Sequence, residues 1–141
     1  MKLSPGTARQ LAEGSVAFVR QKFGFELLYT PESLLFVDAV VDKIRETGAT
    51  EAQASGLLSG LGCYAGEVFV RSAKASWRTP AELGMRRSCR FPVLLVLPGP
   101  TACDPLERVF QRFNGAPAGG VAALYETTLA ALKSAAGPQP A

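Results

Sequence analysis

Histidine is absent from the 141 residues. That absence removes Ser-His-Asp and Cys-His catalysis, histidine general bases and histidine metal ligands together. Charge is sparse: 19% of residues are charged and the formal net charge is only +3, far from the strongly basic character of a nucleic-acid binder. The three cysteines, Cys63, Cys89 and Cys103, lie 26 and 14 residues apart. They form neither a CxxC motif nor an even-numbered disulfide framework. Scattered thiols without histidine are poor material for zinc, so neither a metal nor a cofactor is expected. No apolar run approaches the ~20 residues of a membrane helix. The longest, Phe91 to Leu97, contains Pro92. The opening Met1-Lys2-Leu3-Ser4-Pro5-Gly6 is too polar for a signal peptide, which makes the cytoplasm the expected location.

What the chain does have is apolar material: 48% of its residues are hydrophobic, enough for one ordinary core and too many for a disordered chain. We expect a single α+β domain over residues 1–136 and a short disordered tail at 137–141, Gly-Pro-Gln-Pro-Ala. Ser4-Pro5 and Thr30-Pro31-Glu32 read as helix starts, each a capping hydroxyl followed by a preset proline. The first helix would run from Pro5 to Lys22 and stop at Gly24. The second would run to Thr47, with Leu34, Val37, Val40, Val41 and Ile44 on one face. Asp38, Asp42 and Glu46 form a row at i, i+4 spacing on another face. Such a row can hold a cation or do acid–base work, but with Arg45 beside it the expectation is an ordinary solvated face.

Thr50-Glu51-Ala52-Gln53 is a capping box. It opens the most informative helix, expected over Glu51 to Arg71. Ala52, Ser55, Ser59, Gly62 and Gly66 make a stripe of small residues, and Leu57, Leu61, Tyr64 and Val68 make a large one roughly opposite. A helix of this kind is packed on both sides, with the small stripe admitting another backbone. Strands are expected at Lys74 to Thr79, around Trp77, and at Arg90 to Leu97, paired antiparallel over a long loop. Asp104-Pro105-Leu106-Glu107 starts a helix that ends at Asn114-Gly115, and a last helix follows Gly119-Gly120. The architecture is therefore about five helices around a small antiparallel strand pair, with a central glycine-rich helix.

Three groups of residues are candidates for function. Glu67 sits mid-helix between the two stripes, with Arg71 four residues on in the favourable orientation for an ion pair. Arg86, Arg87 and Arg90 crowd a segment, residues 71–90, that carries six bases against one acid; the other nine bases and eleven acids leave the rest at −2. Cys89 lies among those arginines, which would favour its thiolate. Trp77 and Tyr64 would serve as interface anchors if exposed. No phosphate-cradling glycine loop is present, since the glycines of residues 56–66 follow a capping box and not a strand.

Three stretches resemble a group of small uncharacterised bacterial proteins: Tyr29-Thr30-Pro31-Glu32-Ser33-Leu34; Leu61-Gly62-Cys63-Tyr64-Ala65-Gly66-Glu67-Val68 with Trp77 after it; and Asp104-Pro105-Leu106-Glu107-Arg108-Val109-Phe110 leading to Asn114-Gly115. The resemblance implies a compact α+β domain and brings no catalytic residues. The expected function is a small cytoplasmic interaction module, adaptor, immunity-like or regulatory, that meets a protein partner or its own copy through Tyr64, Glu67, Trp77, Arg86, Arg87 and Arg90. The alternative is a thiol enzyme or redox sensor using Cys89. Neither nucleic acid nor membrane is an expected partner.

Overall fold

The computed structural model describes residues 2–85, 89–99 and 101–136. Among them are five helices, α1 (Ala8–Phe23), α2 (Leu34–Glu46), α3 (Glu51–Ala73), α4 (Pro105–Phe113) and α5 (Val121–Ala136), and three strands, β1 (Ser76–Arg78), β2 (Leu94–Leu97) and β3 (Thr101–Cys103). The class is α+β, with one strand more than the expected pair. β2 is central: Trp77 opposes Leu95 on one side and Cys103 opposes Leu95 on the other, both antiparallel. β3 is three residues long, too short for its side-chain alternation to show in the sequence. The expected tail at 137–141 lies outside the described residues.

Local chemistry places the helix ends. Thr50 Oγ1 accepts from the Gln53 N–H at 3.1 Å and Gln53 Oε1 accepts from the Thr50 N–H at 2.9 Å, closing the capping box. Asp104 Oδ1 accepts from the Glu107 N–H at 3.0 Å at the start of α4. Gly24 ends α1 in the left-handed region at φ 74°. Two starts differ from expectation. Ser4-Pro5 opens a separate turn, the Ser4 carbonyl accepting from the Thr7 and Ala8 N–H groups, and α1 begins only at Ala8. Thr30 caps a single 3₁₀ turn, Pro31–Ser33, before α2 begins at Leu34. At the other end of the central helix, α3 continues past Arg71 to Ala73 and stops with Lys74 at φ 59°. No glycine marks that stop.

α3 is the axis of the molecule, lying along both α1 and α4. Its glycines sit where neighbours come closest. A Cβ on Gly60 would strike Ser15 of α1. A Cβ on Gly62 would lie 2.7 Å from Leu106 Cγ and 2.8 Å from Leu106 Cα of α4. At Gly66 the neighbour is the Trp77 ring, a side chain where another backbone was expected. Ala52 and Ser55, the first members of the small stripe, are exposed, so the stripe is a contact only in its second half. Leu34, Val37, Val40, Val41 and Ile44 of α2 all join the core.

The two kinds of glycine should separate in denaturation. Gly62→Ala forces Leu106 and its backbone to move and should cost about 1–3 kcal/mol. Gly56→Ala meets open space and should stabilise by up to about 1 kcal/mol. Urea unfolding of both variants checks this; a Gly62→Ala protein as stable as Gly56→Ala would contradict the close α3–α4 approach.

Candidate interaction face

Two of the side chains singled out in the sequence, Tyr64 and Glu67, prove to be internal fixtures. Tyr64 is fully buried. Ser33 Oγ donates to the Thr30 carbonyl at 2.5 Å, so the Tyr64 hydroxyl donates to Ser33 Oγ at 2.6 Å and accepts the Tyr29 N–H at 2.9 Å. This chain of bonds ties the Tyr29–Ser33 segment to α3. It corrects Tyr64 as a surface anchor: the hydroxyl is wholly used inside. Tyr29 itself stands at φ 59°, with its ring 4.8 Å from that of Tyr64 and the Arg71 guanidinium 3.6 Å from its centroid.

Glu67 is also buried, and it pairs with Trp77 where Arg71 was expected. The Trp77 Nε1–H donates to Glu67 Oε2 at 2.8 Å. Arg71 is exposed and spends its guanidinium on Tyr29. The half-buried Trp77 thus has its ring against Gly66 and its one donor on Glu67, an arrangement that holds β1 on α3.

Arg90 lies at the opposite end of α3. Its Nη2 donates to Glu51 Oε2 at 2.6 Å and its guanidinium covers the Phe110 ring at 4.6 Å. Glu51 takes a second bond from Asn114 Nδ2 at 2.9 Å, and these two hydrogen bonds, Arg90 first, hold its carboxyl below the ordinary value. Glu51 and Glu67 are separated by roughly 24 Å along the helix axis. Arg90 and the Glu67–Trp77 pair therefore do not make one surface. Arg86 and Arg87 lie outside the described residues.

Thiol chemistry gains no support from the surroundings of Cys89. Burial first, then the Asp104 carboxylate, pushes its thiol up, opposite to the lowering that arginines alone would produce. At Cys103, just before α4, burial pushes the thiol up to about 12, as it does at the buried Cys63. All three are free thiols.

The acidic row of α2 is the clearest surprise. Asp38 is buried, only 7% exposed, and crosses to the start of α5. Its Oδ1 accepts the Val121 N–H at 2.8 Å and its Oδ2 the Ala122 N–H at 3.3 Å. Asp42 binds Arg112 of α4 through two bonds of 2.9 and 2.8 Å, in the paired geometry that arginine suits, and leaves Arg45 aside. The solvated-face expectation fails for Asp38 because it lies beside the apolar arc, four residues after Leu34 and three before Val41.

Meanwhile two large apolar side chains occupy the outer face of α2. Leu35 is 66% exposed and Phe36 is 44% exposed. The Phe36 ring stacks on Phe25 at 5.0 Å, and Leu28, on the same connecting segment as Phe25, is 71% exposed. Leu35 forms a wall of a groove of about 270 Å³ between α2 and α5, with Pro31, Glu32, Ala122, Tyr125 and Glu126. It also borders a second groove of about 400 Å³ that reaches Asp42 and Arg112. The signal was present in part: Leu35 falls well outside the arc of Leu34, Val37, Val40, Val41 and Ile44, whereas Phe36 lies only about 40° beyond its edge at 100° per residue.

Removing the carboxylate in Asp38→Ala leaves two N–H groups at the α5 start without acceptors and should cost about 1–3 kcal/mol, with faster hydrogen exchange at Val121 and Ala122. Burial raises the Asp38 carboxyl above its ordinary value, outweighing the two N–H bonds that lower it. The native state then holds that proton more tightly than the unfolded chain. Asp38's contribution is therefore full at low pH and falls as pH rises from the ordinary value to the raised one. Asp38→Asn should flatten this segment of the stability–pH profile. For the thiols, iodoacetamide should label Cys89 ahead of Cys63 and Cys103, with its rate climbing only near or above about pH 8.5; an inflection well below that would restore the thiolate reading.

No protein-family model, curated protein or solved structure matches the chain at a significant level.

Proposed function

We propose that the chain is a non-catalytic protein-interaction module, an adaptor or regulatory partner of the cytoplasm, and that it makes contact through the outer face of α2. The observation that carries the reading is the exposure of Leu35 and Phe36, neighbours on a helix whose other face is already fully engaged. Each large apolar side chain left in water forgoes about 1.5–3 kcal/mol of burial free energy, and a contiguous exposed apolar area is characteristic of an interaction surface. Its residues are other than Tyr64, Glu67, Trp77 and Arg90, the described members of the set read from the sequence.

Other features support the same reading. Among the described residues no group of three acidic or thiol side chains is placed to hold a metal ion, and Glu67, Asp38 and Asp104 each satisfy a backbone or indole donor. Three free thiols suit a reducing compartment. No helix among the described residues is long and apolar enough to cross a membrane.

Site-specific photo-cross-linking in cells tests the face. A benzophenone side chain at Phe36 should give a discrete adduct with another protein or a second copy, and one at Ala52, exposed on α3, should not. Absence of an adduct from position 36, or equal adducts from both positions, would count against the module.

A further inference from the structure

The groove between α2 and α5 narrows the kind of partner. Its floor and walls are apolar: Leu35, Ala122, Tyr125 and Pro31. Its two charged members, Glu32 and Glu126, are both exposed acids, and neither makes an ion pair among the described residues. The adjoining groove adds one base, Arg112, which Asp42 already neutralises through two bonds. An apolar channel with free carboxylates on both banks is complementary to an apolar anchor with cations on its flanks.

The rim also argues against a second copy as occupant. A two-fold dimer places the same patch on both sides of the contact. Glu32 and Glu126 would then face Glu32 and Glu126 across an apolar seam, where like charges are costly. Two packed helices leave a channel of the shape that receives a third, through apolar residues at i, i+3, i+4 and i+7.

Resting on the interaction reading above, we propose that this groove receives a short basic amphipathic helix of a partner protein: a bulky apolar side chain against Leu35 and Ala122, with lysine or arginine beside it reaching Glu32 and Glu126. The carboxylates select the partner and speed its approach, and the apolar anchor holds it.

Selection from a phage library of random peptides of about 15 residues, long enough for a few helical turns, tests this on the full chain. Enriched sequences should pair large apolar residues at helical spacing with lysine or arginine. A synthetic copy of one should lose about tenfold or more in affinity against Leu35→Glu, and should bind more weakly as salt rises. Against Glu32→Lys/Glu126→Lys the basic peptide should fail, and its version with glutamate for lysine should bind instead. Glu13→Lys/Glu82→Lys, with the same change in net charge elsewhere, should leave binding unchanged. Thermal midpoints of all variants confirm that they are folded. Enrichment of acidic or uncharged peptides, or basic peptides indifferent to Leu35→Glu, overturns this inference and leaves the interaction module standing. So does a wild-type dimer in sedimentation that Leu35→Glu makes monomeric, since the occupant is then a second copy. Failure to enrich any peptide overturns the inference as well, and joined to an absent cross-link from position 36 it removes both readings.

Discussion

Burial of α3 on every side between Leu61 and Phe69 is the constraint on which the remaining structure depends. A helix in that position has to present a surface that its neighbours can approach, and glycine gives the closest approach at a cost of about 1 kcal/mol each relative to alanine. The cost is offset because each contact glycine brings a large group into the core: Leu106 at Gly62, the Trp77 ring at Gly66 and the α1 helix at Gly60. Each fully buried leucine or phenylalanine contributes about 1.5–3 kcal/mol, so a glycine that seats one is a net gain. The sheet follows from the same arrangement. Trp77 lies against α3, and its strand carries β2 and β3 with it.

The buried polar groups act as connectors between elements. Asp38 joins α2 to α5, Glu67 joins α3 to β1, and Tyr64 joins α3 to the segment before α2. A carboxylate taken out of water is costly unless donors meet it. Each of these meets a backbone N–H or an indole N–H, so its direction and partner are specified as well as its burial. Such groups discriminate among packings in a way that apolar contacts alone do not. They also explain why Tyr64, Glu67 and Asp38 are not displayed: their polar atoms are already in use.

The proposed function rests on what the interior leaves over. The inner face of α2 is fully engaged by the core, and its outer face still carries Leu35 and Phe36. The adjoining channel with α5 is apolar at its base and acidic at its rim. Arg90, which the sequence offers as a free cation, is instead clasped by Glu51 and laid over Phe110. That described base is thus ion-paired, whereas the rim acids Glu32 and Glu126 make no ion pair among the described residues.

Much of the fold was legible from local chemistry. The capping box at Thr50 and Gln53, the Asp104 cap, the apolar arc of α2 and the unbroken apolar run of β2 all act within a few residues, so their signals lie in adjacent letters. β3 and the Lys74 helix stop were not legible, because a three-residue strand has no period and a left-handed lysine has no marker. The candidate site was legible only in part. Leu35 sits visibly outside the apolar arc and Phe36 at its edge, but whether another helix covers them depends on where α5 lies. Glu67 chose Trp77 over Arg71, and Asp38 chose α5 over water, because the partners of a buried polar group are set by which elements pack against it. By itself the sequence determined the helices, the capped starts of α3 and α4 and the two-sided character of α3, all of which arise from interactions close along the chain. Tertiary structure alone decided which charged groups are consumed inside and which face is left open, because those outcomes depend on contacts between residues as far apart as Asp38 and Val121.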